Sequence, residues 1–394
     1  TEFVDGKKIS VTVPIVNWGQ PLANSFIVTD EYELLATDGT HTRRPDIVGF
    51  VNGIPLLVIE AKRPDSGNPN KSMVEEGISQ TIRNQKIDEI PHLFAYAQLL
   101  MSIGMTDGRY GTTKTPRKFW SQWREEEFGE DRFLAIKNKA LATDPRTALI
   151  DGRLAEVRAH FEHLWGGEQA VTGQDRLLVS LASPARLLEL LRSYILFDRK
   201  VGKIVARHQQ FFGIRSLLRQ VATIRPNGPR NGGVIWHTTG SGKSFTMVML
   251  CKALLLDDAL RDCRLLIVTD RRDLEKQLAG NFLSGGAFGS DLADKEGERA
   301  KVRSGRDLAR RIGKGTERII FTIINKFASA TKLPECHNSS ANLIVLVDEG
   351  HRSQGGENHE RMRKALPNAS YVAFTGTPLL KDDKTANKFG RIVH

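Results

Sequence analysis

The pattern of hydrophobic and polar positions changes near residue 180. Upstream, short apolar runs alternate with turn residues: "KKISVTVPIV", "DIVGFV", an Asn-Gly pair and "IPLLVIEAK". These are the marks of strands joined by tight turns. Residues 72–101 carry Ile78, Ile82, Leu93, Tyr96, Leu99 and Leu100 at helical spacing, interrupted at Pro91, and predict helix. Residues 111–180 turn polar and charged, with a further helix predicted over 153–164, and read as the tail of a first domain plus a connector. Downstream, helices are predicted over 184–197 and 204–221. Five short β-rich runs follow: "GGVIW", "RLLIVTD", "RIIFTII", "NLIVLVDE" and "YVAFTGT". Such alternation predicts a parallel sheet with helices on both faces, whose ligand sites lie at the carboxyl ends of the strands. The expected division is residues 1–180 and 181–394.

Composition agrees with a soluble α/β protein too long for one core. The 394 residues are 40% hydrophobic and 26% charged, and no apolar run approaches a membrane span. No membrane association is expected. The first residues, "TEFVDGKKIS", lack the apolar core of a secretory signal. Cys251, Cys263 and Cys336 lie far apart without metal-ligand spacing and fit a reducing cytoplasm. Lys plus Arg outnumber Asp plus Glu by 57 to 46, a formal net charge of +11. That excess suits a partner rich in phosphates but does not identify one.

Candidate chemistry sits where the pattern places strand ends. "HTTGSGKS", residues 237–244, follows the run "GVIW" and opens the helical "KSFTMVMLCKALL". Thr239, Gly240, Ser241 and Gly242 form a turn whose N–H groups curl round a phosphate, reinforced by the helix N-terminus. Lys243 reaches the β/γ-phosphates, and Ser244 ligates Mg²⁺. His237 stands where the general P-loop pattern prefers Gly. "IVLVDEGH", residues 344–351, ends a strand on Asp348, suited to hold Mg²⁺, and Glu349, suited to activate water. "FTGTP", residues 374–378, ends another strand; an ordinary strand-to-loop turn looks much the same.

A second constellation lies in "DIVGFVNGIPLLVIEAKRP", residues 46–64. Asp46, Glu60 and Lys62 supply the two carboxylates and the cation that Mg²⁺-dependent phosphodiester hydrolysis needs. Their geometry depends on the hairpin. A two-residue turn at Asn52-Gly53 sets Asp46 opposite Ile59, on the wrong face for Glu60. A three-residue loop, or an equivalent bulge, sets Asp46 opposite Glu60, with Lys62 on the same face. The longer loop or bulge is expected. A strand ending in a surface salt bridge has the same residues, and local pattern does not decide between them.

Taken in order, the P-loop, Asp-Glu-x-His and Thr-Gly-Thr-Pro resemble motifs I, II and III of superfamily 2 helicases and translocases. "VTDRRDLEKQL" and "FTIINKF" resemble that superfamily's strand-end nucleic-acid contacts. The resemblance thus implies coupling or DNA roles for His351, Arg271, Arg272, Thr322, Lys326, Thr375 and Thr377. Gln210, in "ARHQQFF", lies where many such motors keep a glutamine for adenine; a solvated helix position is the alternative. A PD-(D/E)xK pattern upstream of such a motor closely resembles the R (HsdR) subunit of type I restriction enzymes. "PHLFAYAQLLMSIGMTDGRYG", "ILFDRKVGKIVARHQQFF", "TDRRDLEKQ" and "DEGHRSQ" also look like its segments.

That resemblance implies a nuclease-like mixed sheet flanked by helices, followed by a first RecA-like domain. It implies that Asp46 and Glu60 bind Mg²⁺, that Lys62 assists cleavage, and that Gln210, Lys243, Ser244, Asp348 and Glu349 serve ATP. Implied partners are double-stranded DNA and the methyltransferase (M) and specificity (S) subunits of the complex. The implied activity is that of a type I site-specific deoxyribonuclease. The family's Gln-x-x-x-Tyr signature has Gln80 here, but Asn84 replaces the tyrosine, so Gln80 is a nuclease-associated or merely helical residue. The family also implies a second RecA-like domain and a C-terminal region that this sequence does not contain. A fragment of a longer protein, or the ordered part of one, is therefore expected, with poor ATP turnover alone. Alternatives are a repair or type III-like helicase-nuclease, and a DNA-binding motor subunit with an inactive nuclease fold. Trp120 and Trp123 are read as packing rather than base-stacking residues.

Overall fold

The structure is a computed structural model that describes residues 2–4, 7–9, 14–63, 73–198, 201–226, 228–236, 242–270, 300–348 and 357–376. The chain forms two compact units, Thr1–Arg192 and Ser193–His394.

In the first unit, β1 (Glu2–Val4) and β2 (Lys7–Ile9) pair antiparallel. They are followed by β3 (Phe26–Asp30), a small ribbon of β4 (Leu34–Leu35) and β5 (Thr42–Arg43), β6 (Ile47–Val51) and β7 (Ile54–Ala61). Helices α1 (Met73–Asn84) and α2 (Pro91–Tyr96) precede β8 (Leu99–Ile103) and β9 (Gly108–Gly111). The main sheet runs β3-β6-β7-β8-β9, antiparallel except for the parallel pair β7–β8. One face buries Val48, Val58 and Leu100 against Val74 and Ile78 of α1, Leu93 and Phe94 of α2, and Trp120.

The hairpin is the element on which the site depends. Asn52 (φ 50°) and Gly53 (φ 81°) are both left-handed, as a two-residue type I′ turn requires. Val51 therefore faces Ile54, and the three-residue loop does not form. The equivalent bulge does. Phe50 pairs with Pro55 while Gly49 pairs with Leu57, leaving Leu56 as the extra residue. The bulge falls beside Pro55, which has no N–H to give the ladder. Beyond it, Ile47 pairs with Ile59, so the register brings Asp46 level with Glu60.

The single helical reading of residues 72–101 is corrected in its last part. Leu99 and Leu100 belong to β8, all five residues of which are buried, and Tyr96 is exposed. A short apolar run buried on both faces does not reveal its period. Residues 111–180 are likewise more than a connector. They include α3 (Glu130–Lys137), α4 (Thr143–Ile150), α5 (Ala155–Trp165) and α6 (Gly173–Leu181). Trp120 is a core residue whose indole donates to the Thr115 carbonyl at 3.2 Å. Trp123 packs edge-on to Tyr110 and donates to Glu125. The packing role suits both. Helix α7 (Pro184–Ser193) ends earlier than 197, because Ile195–Asp198 forms a strand.

The second unit opens with that strand, β10 (Ile195–Asp198), paired with β11 (Gly202–Val205). Helix α8 (His208–Ala222) therefore starts later than residue 204. Then come β12 (Gly233–Trp236), α9 (Lys243–Leu256), β13 (Arg264–Thr269), α10 (Gly305–Lys314), β14 (Ile319–Ile323), α11 (Phe327–Ala330), β15 (Leu343–Asp348), α12 (Glu357–Ala365) and β16 (Ser370–Thr375). The sheet is wholly parallel, in the order β12-β16-β15-β13-β14. Leu266, Val268, Val345 and Val347 pack with Leu308, Ile312, Phe327 and Met362 of the helices. The alternating set, Leu265, Ile267, Ile344 and Leu346, is equally buried, which is why these strands read as continuous apolar runs. Among the described residues, no helix is long and apolar enough to cross a membrane. All three cysteines are buried free thiols.

Candidate active sites

The bulge in the first unit gathers four side chains. Asp46 accepts a 2.7 Å hydrogen bond from the Ala61 N–H, which locks it across the end of β7. The Lys62 ammonium stands 3.5 Å from Asp46, 3.2 Å from Glu60, and donates to Gln80 Oε1 at 2.9 Å. Gln80, on α1, thus touches the cluster rather than solvent alone. Asn84, where tyrosine was expected, is buried. Its carbonyl accepts from the Ile90 N–H, closing the loop between α1 and α2.

Two neighbours escaped the sequence reading. Ser102, level with Glu60 on β8, is fully buried and donates to the Val74 carbonyl, pinning the start of α1. Gly77 leaves room for both: a Cβ there would lie 2.2 Å from Ser102 Oγ and 3.2 Å from Lys62 Cε. Glycine inside a helix is costly, and that was the one available signal.

Glu60 is 1% exposed. Burial, and then the nearby Asp46 charge, push its carboxyl from the usual 4.5 up to about 8, against the opposing pull of Lys62. A buried carboxylate beside a half-buried one favours a cation between them, and an all-oxygen set suits a hard one such as Mg²⁺. Among the described residues no group of three or more His, Cys, Asp and Glu is arranged to hold a metal ion. Among the described residues, the carboxylates of this cluster are Asp46 and Glu60.

The Glu60 shift has a testable consequence for stability. Between about pH 4.5 and 8 the unfolded chain gives up this proton while the folded chain keeps it, so stability falls as pH rises through that window. The slope approaches about 1.4 kcal/mol per pH unit in the absence of divalent cation. Glu60→Gln, neutral at every pH, removes the effect. Urea unfolding of the 394-residue chain is expected to show the variant gaining on the parent from pH 5 to pH 8; a constant difference contradicts the burial argument.

In the second unit the structure describes Gly242, Lys243 and Ser244 of the glycine-rich segment; Thr239, Gly240 and Ser241 lie outside the described residues. Gly242 caps α9 with φ 91°, a left-handed conformation that glycine adopts freely. Lys243 and Ser244 are the first two residues of α9, at its positive end. Asp348, 5% exposed, ends the central strand β15, and its Oδ1 lies 3.1 Å from Lys243 Nζ. The two motifs therefore converge. Gln210 is not a solvated position: it is 4% exposed, and its Nε2 donates to Thr246 Oγ1 at 2.9 Å and lies 3.5 Å from the Gly242 carbonyl. Its Oε1 accepts from the Arg207 N–H at the start of α8.

The proposed DNA contacts fare unevenly. Thr322 and Thr375 are fully buried, so their side chains face the interior of the unit rather than a strand-end surface. Both lie within strands that are buried on every side. Lys326 is half-buried and donates to the Val302 carbonyl. Glu349, His351, Arg271, Arg272 and Thr377 lie outside the described residues.

Comparison with known proteins follows the same division. Residues 1–119 match the family described as type I restriction enzyme R protein N terminus, and residues 209–394 match the SWI2/SNF2 ATPase family. The chain is 30% identical, over 98% of its length, to a putative type I restriction enzyme endonuclease subunit, MjaIXP, of Methanocaldococcus jannaschii. It is 31% identical, over 97% of its length, to the type I restriction enzyme HindI endonuclease subunit of Haemophilus influenzae. The chain spans 34% of the length of each of these relatives. The solved SWI2/SNF2 ATPase core of Sulfolobus solfataricus in complex with dsDNA aligns with 50% of this chain and 36% of its own at 15% identity and a TM-score of 0.34, too distant to bear on function. The chain thus joins a match to the type I restriction enzyme R protein N terminus to a match to the SWI2/SNF2 ATPase family, and over nearly all of its length it is similar to type I restriction enzyme endonuclease subunits, of which it spans about a third.

Proposed function

We propose that this protein is the restriction subunit of a type I restriction-modification complex, coupling ATP-driven translocation of double-stranded DNA to Mg²⁺-dependent cleavage of unmodified DNA. The observation that carries the reading is the bulge-set register, which brings Asp46, Glu60 and Lys62 together on a chain that also joins Lys243 to Asp348.

In the nuclease unit, Asp46 and Glu60 hold Mg²⁺, which when bound supplies Lewis-acid stabilisation of the charge that develops on the phosphate. Lys62 sits beside the attacked phosphate as a compensating cation, and Gln80 fixes its ammonium. In the motor unit, Lys243 neutralises the β/γ-phosphates of ATP, Ser244 and Asp348 hold its Mg²⁺, and Glu349 activates water. Gln210 supports the phosphate loop through Gly242 and Thr246. Methyltransferase and specificity subunits are the proposed partners that locate the site.

The test is to incubate unmodified supercoiled plasmid with the full-length protein and those two subunits. Linear product that requires both Mg²⁺ and ATP is expected. Product formed equally well without ATP overturns the coupling, and ATP consumption without any cleavage points instead to a motor subunit with an inactive nuclease fold.

A further inference from the structure

Helix α10 is divided sharply by face. Leu308, Ala309 and Ile312 enter the core of the second unit, and Arg311 is buried beside them. The opposite face carries Arg306, Arg310 and Lys314, preceded one turn earlier by Arg303, all exposed. Steps of three and four residues align these cations in one stripe, about 12 Å long from Arg306 to Lys314 at 1.5 Å per residue. Exposed Arg318 follows just before β14.

Every exposed charged residue from 303 to 318 is a cation. The two acids of this segment, Asp307 and Glu317, are half-buried and already committed. Asp307 accepts from the Arg303 backbone N–H at 2.9 Å and from the Arg310 and Arg311 guanidinium groups at 3.0 and 2.9 Å. Glu317 lies 3.7 Å from Arg311, 3.8 Å from Arg310 and 4.0 Å from Arg264. Among the described residues, Arg303, Arg306, Lys314 and Arg318 have no acidic partner. A solvent face that serves only solubility ordinarily mixes both signs; this one does not.

We infer that this stripe binds the sugar-phosphate backbone of duplex DNA, independently of sequence. The inference rests on the reading of the protein as a DNA motor. An acidic protein surface is the competing partner, but protein interfaces are anchored by apolar or aromatic side chains at their centre. Here the exposed residues between the cations are Ser304, Gly313 and Thr316, and no large hydrophobic residue lies among them. Regularly spaced cations suffice for phosphates. The stripe borders β14, at the edge of the sheet opposite β12, the strand that feeds the glycine-rich segment. β15, which carries Asp348, lies two strand positions from β14, about 10 Å, and none of these cations belongs to the nucleotide site, so their removal is expected to leave it intact.

The test uses the full-length protein, a labelled duplex without a recognition sequence, and a salt titration followed by fluorescence anisotropy. The triple variant R303Q/R306Q/K314Q is expected to bind more weakly, with the slope of log K against log salt shallower by about 2 to 3. Its ATP hydrolysis without DNA is expected to match the parent, which also reports intact folding of the unit. An unchanged slope overturns the inference while leaving the motor reading in place. An unchanged slope with weakened subunit association assigns the stripe to an acidic protein surface and overturns it equally. Absence of salt-dependent duplex binding by the parent refutes the DNA-motor reading itself.

Discussion

Asp46→Ala in the full-length protein is expected to abolish cleavage of unmodified plasmid while ATP hydrolysis continues. Asp46 is held by the Ala61 N–H at 2.7 Å and stands 3.5 Å from the Lys62 ammonium. Removing it deletes one of the two described carboxylates beside Lys62 and leaves that ammonium with Glu60 and Gln80 among its described partners. Loss of one preorganised electrostatic partner costs about 3 kcal/mol of transition-state stabilisation, so cleavage is expected to fall at least ~100-fold. The effect should be specific. Asp46 belongs to the first unit, and the nucleotide residues belong to the second. Plasmid linearisation and phosphate release, measured in the same reaction with partner subunits, Mg²⁺ and ATP, separate the two activities. Equal cleavage by parent and variant would sink the assignment of this cluster as a nuclease site.

Lys243→Ala should have the opposite signature. Lys243 opens α9 beside the left-handed Gly242, and its ammonium lies 3.1 Å from Asp348. Without nucleotide that contact offsets a buried acid. With ATP bound, the same ammonium is the compact cation on the β/γ-phosphates, where charge grows during transfer. ATP hydrolysis is expected to fall about 100-fold or more, and cleavage that depends on translocation should fall with it. The pair of variants therefore gives an asymmetric pattern: Asp46→Ala loses cleavage alone, Lys243→Ala loses both. Cleavage at the parental rate by Lys243→Ala would show that the nuclease does not depend on the motor.

How far each site could be read from residues alone depended on how local its chemistry is. Strand, glycine-rich turn and helix are consecutive around Lys243, so that constellation is written in a few adjacent residues. Asp348 ends an apolar strand and needs only a parallel neighbour to meet Lys243. The nuclease cluster is different in kind. Asn52 and Gly53 specify a two-residue turn, and taken alone that turn sets Asp46 opposite Ile59 and away from Glu60. Only the bulge at Leu56 restores the pairing of Ile47 with Ile59. Period-two alternation makes a one-residue slip move every side chain to the other face, so here a single extra residue makes the site possible.

Burial supplied the other corrections. Leu99 and Leu100 looked helical because a run buried on both faces carries no period, and their backbone partners lie on β7 and β9. For Gln210 the sequence left a nucleotide role and a solvated helix position both open, and the packing of α8 against α9 joins it to Gly242 and Thr246. Thr322 interrupts one apolar run and Thr375 ends another, but their side chains are enclosed by the unit. The cationic stripe is invisible as sequence, because "RSGRDLARRIGKG" also contains the buried Arg311 and the acid that consumes part of its charge.

By itself the sequence determined the two-part α/β organisation, the basic character of the chain, and the residue types at both candidate sites. Periodicity and short motifs encode these directly through backbone geometry. Tertiary structure alone decided that Asp46 meets Glu60, that Gln80 and Gly77 shape the surroundings of Lys62, and which arginines of α10 remain free to face solvent. Each of those outcomes depends on register or burial between segments distant along the chain, and no local pattern carries that information.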